Sequence, residues 1–211
     1  YTIDPGDHVV NEADVIPAGE LEERADQAPW NGLEDTLDGA LSRYSDIPVS
    51  LAGDLVLKPS KEQVLRAVVK YGGAIAHTAA MYRHLVSVLP PDRMELEVSV
   101  DETESVTTPF EHLFFASELR RLGVSWAGLA PRFVGDFEKG IDFRGNLELF
   151  RTEYLKHLAI AAAYGGYKIS IHSGSDKFSV YRVIGDLGHG RVHVKTAGTS
   201  YLEALRTAAV R

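Results

Sequence analysis

The chain has 211 residues, 45% of them hydrophobic and 25% charged, which suits a soluble globular domain with a core of its own. Its formal net charge is −8 and it carries no basic run, so nucleic-acid binding has no electrostatic support, although a local basic site for a small anion is compatible with that balance. Cysteine is absent, which excludes disulfides, thiol nucleophiles and cysteine zinc sites and leaves His, Asp and Glu as the strong metal ligands.

In chain order, residues 1–4 read as a short strand stopped by Pro5. Residues 17–44 are acidic and interrupted by Pro29, Trp30 and Gly32, the pattern of short helices inside an excursion covering about residues 11–57. Residues 49–57 are apolar but broken by Gly53 and Asp54, as in a hairpin or an irregular strand. Ser60 and Gln63 form a capping box for a long helix that runs to about Val88 and stops at Pro90-Pro91. Residues 95–100 read as a strand, and Thr108, Pro109 and Glu111 supply the N-cap, N1 and N3 positions of a helix ending at Gly123. A strand over 124–129, a helix over 145–164 and a strand over 167–172 follow. A short helix from about Asp176, a last strand over 191–195 and a last helix capped by Ser200 and Glu203 complete the chain.

Strand alternating with helix predicts a parallel sheet, doubly wound or closed into a barrel. Strands buried on both faces read as unbroken apolar runs. Here Leu96, Val98 and Val100 oppose Glu97, Ser99 and Asp101; Ile169 and Ile171 oppose Lys168, Ser170 and His172; Val192 and Val194 oppose His193 and Lys195. An apolar face under helices and a polar face around a site fit a TIM-type (β/α) barrel. The chain reads as a single domain, residues 1–211, forming the C-terminal half to two-thirds of such a barrel. It opens on a strand without Met and stops near a helix end, so truncation is expected. No stretch is long and apolar enough to span a membrane and the opening residues do not resemble a signal peptide, which gives an expected cytoplasmic location.

Catalytic groups of barrels sit where strands end. Asp101 and Glu102 occupy such a position, as general acid or base or as ligands of a hard cation; the competing reading is a solvated acidic loop. Glu102 is the catalytic candidate and Asp101 a supporting one. His172 ends its strand and is followed by Ser173, Gly174 and Ser175 at a helix start, where free N–H groups favour an anion, with Lys177 adding positive charge. His193 and Lys195 repeat the arrangement one strand later; the two histidines can share a divalent metal (zinc, manganese, nickel or cobalt), or His193 and Lys195 simply fill the barrel with a salt-bridged layer. Asp4, inward with Thr2, is a candidate substrate contact, and His8 a weaker one. Arg132 either clamps a carboxylate or pairs with Asp136 or Glu138. His77, His84, His112 and His157 fall inside helices and read as structural or exposed. The Gly72-Gly73 and Gly165-Gly166 pairs lack a dinucleotide-binding spacing.

Taken together, Thr2-Ile-Asp-Pro5, Ser99-Val-Asp-Glu-Thr103, Leu129-Ala-Pro-Arg-Phe-Val134, Ile171-His-Ser-Gly-Ser-Asp-Lys-Phe-Ser179 and Val192-His-Val-Lys-Thr-Ala-Gly-Thr199 resemble the tagaturonate/fructuronate epimerase family over nearly the whole chain. The resemblance implies a bacterial, cytoplasmic, divalent-metal-dependent isomerase acting on keto-hexuronates in hexuronate breakdown, with related activity on fructose and tagatose. It implies Glu102 as proton donor and His172 and His193 as metal ligands, with a further ligand and a proton acceptor upstream of Tyr1 in members about twice this length. The expected partner is a small keto-sugar acid, and a homo-oligomer is compatible with all of this. Retro-aldol cleavage and re-addition fits the chemistry, with transient reduction or an enol-based route as the alternatives. A metal-dependent sugar aldolase or isomerase, or an inactive barrel that only binds an anion, is the alternative function.

Overall fold

The computed structural model describes residues 1–196 and 201–209. A five-stranded parallel sheet organises them, in the order β1 (Thr2–Ile3), β4 (Glu97–Val100), β5 (Gly128–Pro131), β6 (Lys168–Ile171) and β7 (Val192–Val194). The expected α/β architecture is present. The sheet itself is open among the described residues, with β1 and β7 each paired on one side. A small antiparallel hairpin, β2 (Val49–Ser50) and β3 (Val56–Leu57), stands apart from it, as the Gly53-Asp54 break predicts.

The acidic excursion folds as α1 (Ala18–Asp26), α2 (Trp30–Leu33) and α3 (Leu37–Tyr44) against the long α4 (Lys61–Val88). In α4 the capping box is complete: the Ser60 hydroxyl accepts from Gln63 N, and Gln63 reaches back to Ser60 N. α5 (Pro109–Arg121) opens with the same device from Thr108 and Glu111, and Asn146 caps α6 (Leu147–Ala163). Such caps are each worth roughly 1 kcal/mol. Then come α7 (Phe178–Gly188) and α8 (Tyr201–Ala209). The expected cap from Ser200 lies outside the described residues. Among the described residues no helix is long and apolar enough to cross a membrane.

The register explains the two faces. Pairing aligns Ile3, Val98, Leu129, Ile169 and Val192 in one row across the sheet. Val98, Leu129 and Ile169 in that row are fully buried, each contributing about 1.5–3 kcal/mol relative to exposure. Helices α4 to α7 pack in succession, each against the next, around this apolar layer. The flanking rows bring Glu97 level with Gly128 and Lys168, Ser99 level with Ala130, and Ser170 level with His193. One strand is displaced from the sequence expectation of 124–129: Val124 N still bonds Leu119 O at the end of α5, Trp126 packs on Tyr167, and the ladder starts at Gly128.

Candidate functional site

The polar face of the sheet is built around Glu97. Its Oε1 accepts from His172 Nε2 at 2.9 Å, and its Oε2 lies 2.6 Å from His193 Nδ1 and accepts from Ser170 Oγ at 2.7 Å. These partners are on β6, just after it and on β7, so the Glu97 side chain reaches across β5. It can do so because β5 contributes only Gly128 and Ala130 to this face; a Cβ at Gly128 would lie 3.4 Å from Glu97 Oε2. The other nitrogen of His172, Nδ1, lies 2.9 Å from Asp101 Oδ1 and 3.3 Å from Ser99 Oγ, and the Ser99 hydroxyl in turn donates to Asp101.

This arrangement fixes charge. Burial alone would raise Glu97, but hydrogen bonds from His172, Ser170 and His193 outweigh it and hold the carboxyl at about 2. Burial alone would lower His172, yet its bonds to Asp101 and Glu97 raise it to about 9, despite opposition from nearby Lys195. Asp101 is likewise held below its ordinary value, its burial outweighed by His172 and Ser99. The face therefore carries an imidazolium between two carboxylates.

Next to it, at the C-terminal ends of the strands, lies a cleft of about 400 Å³ lined by Asp101, Glu102, Arg132, His172 and Ser173, together with the wall segment Gly135–Glu138. Glu102 is exposed at its rim. Arg132 does not pair with Asp136 or Glu138; its Nη1 donates to Asp101 O at 3.3 Å, and Glu138 lies 3.7 Å from Arg144 instead. His193, half exposed, belongs with Glu97 and Lys168 to a smaller cleft of about 210 Å³. Glu97 thus joins the two histidines while each ring faces a different opening. Lys195 is exposed, and its backbone pairs with Ile171 O and Gly174 N.

Several expectations are corrected. Lys177 does not face an anion. Its side chain is buried and its ammonium donates to three backbone carbonyls, those of Glu138, Ile141 and Ser175. The Ser173-Gly174-Ser175 turn is not an open nest either. Gly174 N bonds Lys195 O, Ser173 and Asp176 hold positive φ, and the N-terminal amide of α7, Ser179 N, is taken by the protein's own Asp142 carboxylate. Asp4 is exposed outside the cleft, its Oδ1 accepting from Gly6 N. Of the two readings given for His112 and His157, structural or exposed, the structural one holds: both are fully buried, against each other. Glu97 is not among the candidates that the sequence singles out, although the alternation Glu97, Ser99, Asp101 puts it on the same face as the expected site.

Among the described residues no group of three His, Asp or Glu side chains stands ready to hold a metal ion. His172, His193 and Glu97 carry donor types that a divalent cation accepts, but here their polar atoms are spent on hydrogen bonds to one another and to Asp101.

A family model described as tagaturonate epimerase matches residues 1–211. The tagaturonate/fructuronate epimerase of Thermotoga maritima is 42% identical over 206 residues, 98% of this chain and 41% of that protein. The native and glycerol-complexed crystal structures of the fructuronate-tagaturonate epimerase from Cohnella laeviribosi superpose with a TM-score of 0.88 at 36% identity, covering 99% of this chain and 41% of theirs. The chain thus spans about two fifths of the length of these relatives. With the whole sequence matched by the family model, the chain belongs to the tagaturonate epimerase family.

Proposed function

We propose that this chain forms part of the active site of a cytoplasmic, metal-dependent epimerase interconverting D-tagaturonate and D-fructuronate. The observation that carries the reading is the strand-end cleft, in which a free-standing carboxylate (Glu102), an arginine (Arg132) and a carboxylate-bound histidine (His172) face one volume large enough for a six-carbon sugar acid. Five parallel strands with helices packed on the apolar face support a place within a (β/α) barrel.

Arg132 is suited to the substrate carboxylate, as a fixed fork of donors at the cleft wall. His172 and His193 would hold a divalent ion, with Glu97 orienting both rings; the ion, when bound, supplies Lewis acidity toward the substrate carbonyl. The two acids differ at the hydroxyl-bearing carbon β to the ketone, where direct proton abstraction is not assisted by the carbonyl. In a retro-aldol route, Glu102 takes the proton of that hydroxyl as the bond between the α and β carbons breaks. The β carbon becomes an aldehyde and the α carbon an enediolate. Re-addition to the opposite aldehyde face re-forms the bond, and Glu102 returns the proton. The same steps extend to fructose and tagatose.

Incubating the purified full-length protein with fructuronate and added divalent metal should yield tagaturonate, and Glu102→Gln should abolish turnover while metal stays bound. Trapping should capture an aldehyde fragment, and substrate carbon-bound deuterium should be retained. Undiminished turnover by Glu102→Gln would remove the proton-transfer assignment; deuterium washout with no fragment would remove the retro-aldol route.

A further inference from the structure

The buried ammonium of Lys177 has no role in the chemistry above, and its surroundings are unusual for a lysine. The residue is fully buried. Its three donors go to Glu138 O at 2.6 Å, Ile141 O at 2.6 Å and Ser175 O at 3.0 Å. A ring of backbone carbonyls around one positive charge is the chemistry of a monovalent-cation site, here filled by a tethered ammonium. Taking that charge out of water is costly unless every donor is used, which is the case.

The carbonyls come from two loops. Glu138 and Ile141 belong to the loop after β5, and Ser175 to the loop after β6. Both loops wall the main cleft, the first through Gly135–Glu138 and the second through His172 and Ser173. The first loop is tied at its base, where Asp136 and Arg144 exchange backbone hydrogen bonds, and at Asp142, whose carboxylate takes Ser179 N and Ser179 Oγ. Within the 137–141 turn, Phe137 packs on Phe133, Phe143 and Phe150 and the Glu138 side chain lies 3.7 Å from Arg144, while the backbone carbonyls of Glu138 and Ile141 are held by Lys177. Asp142, Asp176 and Glu138 add favourable charge around the ammonium.

We propose that Lys177 is a positioning residue whose ammonium staples the 136–142 loop to the 173–177 loop and so sets the shape of the cleft that takes the anionic sugar acid. This rests on the epimerase reading for its substrate, while the staple itself can be read without turnover. It also separates Lys177 from direct substrate contact, because none of its donors is left for a ligand.

The test compares Lys177→Met and Lys177→Ala with the parent in the full-length, metal-loaded protein. Both variants should raise KM about tenfold or more with kcat changed much less, since the loss is in placing substrate and not in moving a proton. Amides of residues 137–141 should exchange hydrogen faster, while those of α6 keep parent rates. Added propylammonium should restore KM and exchange protection in Lys177→Ala saturably, and tetramethylammonium, which has no N–H, should not. Recovery of folding in Lys177→Ala only with propylammonium would also support the staple. Unchanged KM and unchanged loop exchange in both variants would overturn it, as would unfolding of both that no amine reverses. If the parent does not epimerise these acids, the epimerase reading fails, and the exchange and amine-rescue measurements still decide the staple.

Discussion

Two buried histidine clusters sit in this domain, one on the polar face of the sheet and one between α5 and α6, and they are held in opposite charge states. On the sheet face, His172 lies between Glu97 and Asp101 and is raised to about 9. Between the helices, His112 Nδ1 lies 2.8 Å from His157 Nδ1, and His112 Nε2 lies 2.5 Å from the Tyr167 hydroxyl, with no carboxylate in the chain of bonds. Burial there pushes His157 down to about 3 and His112 well below its ordinary value, assisted by Lys156 and His157 respectively. Burial acts in the same direction on all three rings. What differs is the supply of carboxylates, so low accessibility alone does not mark a histidine as structural or functional.

The largest effect should come from removing the acceptor that the sheet cluster shares. Glu97→Gln leaves His172, Ser170 and His193 without their common charge and should lower the unfolding free energy by about 3 kcal/mol in urea denaturation of the metal-free chain. A loss under about 1 kcal/mol would mean that the cluster is not held together through Glu97. Obstructing the path is next. Ala130→Leu puts a branched side chain on the face that Glu97 crosses, and should cost about 2 kcal/mol through overpacking. Its heteronuclear NMR spectrum should show His172 titrating nearer the ordinary imidazole value, and an unmoved His172 would contradict the crossing.

The helix cluster gives the opposite pH dependence. His157 is neutral when folded and takes up a proton below about 6.5 when unfolded, so the unfolded state binds more protons as pH falls. Stability should therefore drop by about 2 kcal/mol from this residue between pH 7 and pH 5, and His157→Gln should flatten that limb in denaturation curves. His172, raised in the folded state, stabilises fully below about 6.5, and that contribution disappears as pH rises through about 9. The smallest effect belongs to Tyr167→Phe, which removes one hydroxyl from His112 and should cost about 1 kcal/mol.

Much of the polar face was legible in the sequence, because a strand's period of two separates Glu97, Ser99 and Asp101 from Leu96, Val98 and Val100 without any tertiary knowledge. Helix starts at Ser60 and Thr108 were legible for a similar local reason: each cap is complete within four residues. What stayed hidden depends on contacts between strands and loops far apart in sequence. Glu97 reaches His172 only because the intervening strand supplies Gly128 and Ala130, which is a fact of register. The glycine turn after His172 looks like an anion nest by composition, but Asp142, remote in sequence, already occupies the helix start. Lys177 adds positive charge near the turn by sequence, but its ammonium is taken up by the backbone carbonyls of Glu138 and Ile141, which are remote in sequence, and by that of Ser175. His112 and His157 were assigned to helices correctly, but their mutual contact requires the packing of α5 on α6.

The most direct test of this division of charge is a histidine-selective NMR titration of the metal-free chain, reading the ring nitrogens of His172 and His157 in one sample. His172 should stay an imidazolium through neutral pH and lose its proton near about 9, while His157 stays neutral down to about 3 for as long as the fold persists. Both rings titrating together near 6.5 would contradict the account.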